Sequence, residues 1–176
     1  MKNLFLIATL ALVTSCQELP KEQPAGISSL NIVRIVEGVL YGVLKDAVPE
    51  GSLDTCITDG QQIESTIIDA VTNLEKATFD GIKTGLNEIG SAVKLMPSML
   101  KDCTSVKNDL EILAKMAEIF SHPLSLIWQV GKSLIVNGSD IFDKISQAIT
   151  AYKNGQFFDF GKNIGQALSE VFFKSA

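Results

Sequence analysis

The chain has 176 residues, with 15 Lys plus Arg against 20 Asp plus Glu, and a formal net charge of −5. An acidic chain with a single Arg and no basic run lacks the electrostatic footprint of a nucleic-acid-binding protein. Hydrophobic residues make up 46% of the chain, which excludes a disordered protein and is ordinary for a folded one. The length favours one domain.

Residues 1–16 have the layout of a secretory signal peptide. A short positive start precedes a run at 4–13 that is apolar except for Thr9, and small residues follow it. That run is too short to span a bilayer, and no later segment is long enough to do so. We therefore expect secretion, with a flexible tether at 17–26, which is polar and contains two prolines, and a helical domain at 27–176.

The cleavage site has two interpretations. Residues 13–16 (VTSC) match a bacterial lipobox, in which Cys16 is acylated and anchors the mature chain to a membrane surface. Cleavage after Cys16 instead releases a secreted product that begins at Gln17. A four-residue match at the end of a signal peptide often arises by chance, so the secreted product is favoured and the lipid-anchored one is the alternative.

Neither cleavage leaves Cys16 as an ordinary free thiol, so the cysteines available for pairing are Cys56 and Cys103. Two cysteines in an exported chain most often form a disulfide, because the compartment is oxidising. The alternative is a pair of buried free thiols. The chain has one His and no CxxC pair, so we expect neither a metal centre nor a cofactor.

Apolar residues recur at three- and four-residue steps through the chain, which is the period of amphipathic helices. Asn137-Gly138 and Asn154-Gly155 are typical helix stops. No segment is typical of a strand, so the pattern predicts an all-α, single-domain bundle of six or seven helices. The predicted helices cover 32–44, closed by Pro49; 63–77; 79–93, ending before Pro97; 106–120; 124–136; a segment from Ser139 and Asp140 to Tyr152; and 157–173.

A weak internal repeat is visible in these segments. Residues 69–71, 79–81 and 89–93 have counterparts at 147–149, 157–159 and 164–168. The offset drifts from 78 to 75, so a small deletion is needed to align them. Two similar helical units and a chance likeness between amphipathic helices both explain the pattern.

Three GxxxG pairs each place two glycines on one helix face, where a second backbone can approach closely. Glycine inside a helix costs about 1 kcal/mol relative to alanine, so three pairs indicate a compensating contact. We favour tight crossings inside the core, and the alternative is a surface for self-association or one that faces a membrane. The pairs are Gly38/Gly42, Gly81/Gly85 and Gly161/Gly165.

The last predicted helix contains five of the nine phenylalanines. Core packing is the favoured reason. The functional alternative is an apolar cavity between the helices that takes a lipid or another apolar small molecule. The candidate lining residues are Trp128, Phe157, Phe160 and Ile164.

Two further residues are candidates for a glycosylation site and for a catalytic site. Asn137-Gly138-Ser139 fits an N-glycosylation sequon at a predicted interhelix turn, although the same residues also fit a helix stop followed by an N-cap. The one histidine, His122, precedes Pro123 and has no nucleophile motif beside it. No catalytic residue is assigned, and we do not expect an enzyme.

Several segments resemble a set of small exported helical proteins found in ciliate protists. They are 114–125 (AKMAEIFSHPLS), 130–138 (VGKSLIVNG), 158–165 (FDFGKNIG), 56–60 (CITDG) and 100–103 (LKDC). The resemblance implies secretion, an all-α fold and a Cys56–Cys103 bridge. It implies no activity, and it reduces the weight of the lipobox.

Two functional hypotheses follow for a secreted, non-catalytic protein. The first is a binding module for a lipid or another apolar ligand. The second is a structural or interaction protein of an extracellular coat, which associates through its glycine faces.

Overall fold

The computed structural model describes residues 27–44, 48, 50–54, 56–57, 60–107, 110–120 and 122–173. Within these ranges the chain forms seven α-helices, a short 3-10 turn at Thr104–Val106 and no strand, which confirms the predicted fold class. The predicted signal peptide and tether lie outside the described residues. The helices are α1 Ser29–Leu44, α2 Gln61–Leu74, α3 Phe79–Met99, α4 Leu110–Phe120, α5 Pro123–Val136, α6 Gly138–Lys153 and α7 Phe157–Phe173.

Helix α1 is buried along most of its length. Ten of its 16 residues are buried, including one charged residue, Glu37. A helix that is apolar on nearly every side must be surrounded by other elements, because no face of it is suited to water. The apolar side chains of α1, such as Ile32, Val36 and Leu40, are accordingly inaccessible to solvent.

Helices α1 and α7 cross through their two GxxxG pairs. A Cβ atom added at Gly38 would lie 2.7 Å from the backbone nitrogen of Lys162, and one at Gly42 would lie 2.8 Å from that of Gln166. Added Cβ atoms at Gly161 and Gly165 would overlap backbone carbonyl groups of α1. The two helices run in the same direction at this crossing, and only glycine permits their backbones to come so close.

The third GxxxG pair joins α3 to α2. A Cβ atom at Gly81 would lie 2.7 Å from the carbonyl oxygen of Asn73, and one at Gly85 would lie 2.5 Å from Leu74 Cγ. The interpretation that the glycine pairs form crossings inside the core is thus confirmed for all three.

The α2–α3 and α6–α7 segments are two helical hairpins with the same turn, 78 residues apart. Ala77 (φ 49°) and Gly155 (φ 71°) occupy equivalent positions in the left-handed region, which costs alanine energy and suits glycine. Equivalent backbone hydrogen bonds close both turns: Lys76 N to Asn73 O and Ala77 N to Leu74 O in the first, Asn154 N to Ala151 O and Gly155 N to Tyr152 O in the second.

The same offset relates the buried positions along both hairpins, so the repeat seen in the sequence is a structural one. The deletion that the sequence alignment required is not needed, because Leu86 rather than Ile89 is the counterpart of Ile164. The equivalent buried pairs are Ile63 and Ile141, Ile67 and Ile145, Ala70 and Ala148, Ile82 and Phe160, Leu86 and Ile164, and Val93 and Val171.

A disulfide joins Cys56 to Cys103, with their Cα atoms 5.2 Å apart, and this confirms the predicted pairing. It ties the segment after α1 to the segment after α3. In the chain-entropy model, closing a loop of this size stabilises the fold by about 3–4 kcal/mol.

Several predicted helix boundaries are wrong: α2 ends at Leu74 rather than at residue 77, and α4 begins at Leu110 rather than at residue 106. Helix α3 continues past Pro97 to Met99. Proline is tolerated there because it lies within the last turn, where its missing N–H removes a single intrahelical hydrogen bond. Helix α6 begins at Gly138, with Asn137 rather than Ser139 at the N-cap.

We predict that Gly161→Ala lowers the free energy of unfolding by about 1–3 kcal/mol, because the added methyl group forces α1 and α7 apart. The matched control is Gly131→Ala in α5, where no described atom lies within 4 Å of an added Cβ atom. That change should stabilise the protein by about 0.5–1 kcal/mol. Urea unfolding followed by circular dichroism measures both, and equal effects would contradict the backbone crossing.

Candidate functional site

The buried carboxylate of Glu37 organises the polar part of the core. It is inaccessible to solvent, yet three donors surround it. Its Oε2 accepts hydrogen bonds from Arg34 Nη1 at 2.7 Å and from Gly51 N at 2.9 Å, and its Oε1 accepts one from Leu53 N at 2.7 Å. A buried charge is tolerated only when it is paired and hydrogen-bonded in this way.

Arg34 extends the network from Glu37 to the surface. Its Nη2 donates to Asp54 Oδ2 at 2.8 Å, and its Nε lies 3.6 Å from Glu50 Oε1. Hydrogen bonds to Asp54 and Glu37 raise the pKa of Arg34 further above its ordinary value, so the guanidinium stays charged. The network holds residues 50–54 against α1, and we interpret its role as structural.

Sequence reasoning missed this network. Arg34 and Glu37 are three residues apart in α1, a spacing that is usual for solvated ion pairs on a helix surface. The available signal was Glu37 itself, a single carboxylate in a helix that is otherwise apolar on nearly every side. Its partners, Gly51 and Leu53, are backbone donors, which no side-chain pattern reveals.

The predicted cavity lining falls in three different environments. Phe160 and Ile164 have no solvent-exposed area and belong to the core. Phe157 is half-buried, with its ring packed edge-on against Tyr152 at 5.7 Å. Trp128 lies in α5, but its side chain is outside what the structure describes. Phe160 and Ile164 are thus packing residues of α7, whereas Phe157, at the start of the same helix, also lines a surface cleft.

A groove of about 410 Å³ lies elsewhere, between the α2–α3 turn and α6. Leu74, Ile82 and Ile145, which are almost fully buried, lie at its base. Phe142 and Ile149 of α6 line it and are partly buried. A volume in this range, with a mostly apolar lining, is typical of small-molecule sites. We call this feature the α6 groove.

Charged groups lie at the two ends of the α6 groove. At one end Lys153 Nζ lies 3.3 Å from Glu75 Oε1, and this ion pair is largely exposed. Asp143 lines the groove nearer the other end of α6. The neighbouring Tyr152 is partly desolvated, and this burial, together with Glu75 and Glu64, raises its pKa above the ordinary value of 10.0. The site therefore combines an apolar base with a charged rim.

A second cleft, of about 330 Å³, lies beside the start of α7. It is lined by Arg34, Glu50 and Asn31 together with residues 155–159. Its cation, Arg34, already pairs with three carboxylates. The cleft is therefore electrostatically satisfied by its own residues, and the α6 groove is the better candidate for a ligand.

The remaining sequence candidates occupy interhelix positions. Asn137 lies in the turn between α5 and α6 as predicted, but its Nδ2 atom is buried and has no hydrogen-bond partner among the described residues. Glycosylation at Asn137 stays a prediction, and it requires the side chain to turn outward. His122 is exposed at the N-cap of α5, and its side chain does not cap the helix.

Two further observations concern the described residues as a whole. No helix among them combines the length and the apolar character needed to cross a membrane. Within the same ranges, no three His, Cys, Asp or Glu side chains are grouped as metal ligands are.

The fold and the groove together define a disulfide-linked, all-α protein with a repeated helical hairpin and an apolar surface groove. The model of the SctB-like family, described as secreted protein B-like, matches residues 17–172. The chain belongs to this family, and the family supports the predicted assignment to small secreted-type proteins. No curated protein and no solved structure matches the chain.

We predict that Glu37→Gln lowers the free energy of unfolding by about 3 kcal/mol. The amide keeps the shape of the carboxylate but turns an NH₂ group toward backbone or guanidinium donors. Glu111→Gln is the matched control, because Glu111 is exposed and, among the described residues, forms an ion pair only with Lys115, at 2.8 Å. Exposed ion pairs contribute little, so this control should unfold like the wild type in urea. Equal stability of the two variants would contradict the role of Glu37.

Proposed function

We propose that this protein is a secreted, non-catalytic binding protein that holds a lipid or another apolar ligand in the α6 groove. The observation that carries the proposal is the groove itself, whose base is formed by Leu74, Ile82 and Ile145. The hydrophobic effect rewards the transfer of an alkyl chain to such a surface by about 0.8 kcal/mol per buried methylene group.

The extracellular location and the ciliate relationship are finer parts of the same proposal. Membership of the SctB-like family supports a secreted protein. The ciliate relationship rests on the sequence segments quoted above. The lipid-anchored alternative depends on Cys16, which lies outside the described residues.

The hypothesis of a coat protein required glycine faces that are free to contact a second copy. All three GxxxG pairs face other helices of the same chain, and no room remains for a second backbone. The observations on the described residues therefore favour ligand binding over assembly through glycine faces.

We predict that the wild-type protein binds 1-decanol and that Ser146→Phe weakens this binding about tenfold or more. Ser146 is an exposed residue of α6 that lines the groove, so a phenyl ring there takes the space of several methylene groups. Gln147→Phe is the matched control, because Gln147 is exposed on the same helix and does not line the groove. Isothermal titration calorimetry measures the three affinities.

Two outcomes would contradict the proposal. The wild-type protein would show no heat of binding, or both phenylalanine variants would bind 1-decanol as tightly as the wild type does. The second outcome would place the alkyl chain outside the α6 groove.

A further inference from the structure

We propose that the α6 groove selects a single-chain amphiphile with a positively charged amine head group. The inference rests on the proposed function and goes further, since it names the chemistry of the head group. It is carried by the uneven distribution of charge around an otherwise apolar groove.

Lys153, the one lysine among the described residues that line the groove, is already paired with a carboxylate. Lys153 Nζ lies 3.3 Å from Glu75 Oε1, so its charge is compensated at the same end of the groove. An anionic head group would have to compete with Glu75 for this cation. The Glu75–Lys153 end of the groove therefore favours neither an anion nor a cation strongly.

Asp143 presents an uncompensated carboxylate. It is exposed on α6, it lines the groove, and among the described residues it takes part in no ion pair. The three charged residues that line the groove thus leave one negative charge. The whole chain, with a formal net charge of −5, adds a field of the same sign.

The apolar surface lies between these charged groups. Phe142, Ile145 and Ile149 follow the i, i+3, i+7 spacing of one helix face, and all three line the groove. The stretch of α6 from Phe142 to Lys153 spans about 16 Å at 1.5 Å per residue. An alkyl chain laid along this face puts a head group beside Asp143 while its methylene groups cover the base.

The test compares three ligands with the same chain and different heads: decylammonium, 1-decanol and decanoate. At pH 7 the amine is cationic and the carboxylate is anionic. Calorimetry is performed below the concentration at which each ligand forms micelles. We expect the wild-type protein to bind decylammonium about two- to fivefold more tightly than 1-decanol, and decanoate more weakly than both.

Reversing the charge at residue 143 tests whether Asp143 is the source of the head-group selectivity. Asp143→Lys should reverse the order, so that decanoate binds more tightly than decylammonium. Glu118→Lys changes the net charge of the protein equally, but Glu118 is an exposed residue of α4 that does not line the groove. This control should keep the wild-type order, and thermal unfolding checks that both variants are folded.

The outcomes separate the two proposals. If all three ligands bind equally, or if Glu118→Lys reverses the order as Asp143→Lys does, head-group selection by Asp143 is wrong while alkyl binding stands. If none of the three ligands binds, the proposed function itself is wrong. A reversal confined to Asp143→Lys supports the inference.

Discussion

The direct backbone contact between α1 and α7 is the constraint on which the rest of the structure depends. Gly38 and Gly42 meet Gly161 and Gly165 without intervening side chains, so the two helices are held closer than any other residue would allow. Each glycine costs about 1 kcal/mol of helix propensity relative to alanine, which dispersion contacts across the crossing must offset. The crossing joins the first and last helices of the described chain, and it buries a large part of the apolar α1.

The buried Glu37 network and the disulfide add a second constraint on the same helix. Glu37 holds residues 50–54 against α1, and Cys56 follows them and bonds to Cys103 beyond α3. The described residues between α1 and α2 are thus attached at two neighbouring places by different chemistry. One attachment depends on a charged group in the core, and the other depends on an oxidising compartment.

The sequence predicted features that depend on short-range patterns of residues, and it missed features that depend on contacts between distant segments. The helices, the Asn154-Gly155 stop and the core role of the glycine pairs follow from periodicity and from backbone preference. The groove could not be predicted, because Leu74 and Ile149 meet only after two hairpins have packed.

Phe160 and Ile164 are predicted as lining residues because aromatic and aliphatic clusters look alike in sequence, whether they enclose a cavity or fill a core. Proline predicts a helix end, but Pro97 lies within the last turn of α3, and the sequence does not show how many residues follow it in the helix.

The repeat gives a physical reason why the α6 groove lies against the turn of the first hairpin. In the second hairpin Tyr152 packs edge-on against Phe157 and Phe160, with ring centroids 5.7 and 5.2 Å apart. The positions equivalent to Tyr152 and Phe160 in the first hairpin are Leu74 and Ile82, which have smaller side chains and form the base of the α6 groove.

Phe79 and Phe157, the third pair of equivalent positions, also differ between the two hairpins. Phe79, the counterpart of Phe157, is 43% exposed because it has no aromatic partner at position 74. The groove therefore arises where two smaller aliphatic residues replace aromatic rings in an otherwise repeated unit. The charged pair at its end also joins equivalent positions, because Glu75 and Lys153 are 78 residues apart and have opposite signs. The two hairpins share a backbone and differ in side-chain volume and charge, and this difference is what gives the molecule a site with one apolar base and one uncompensated carboxylate.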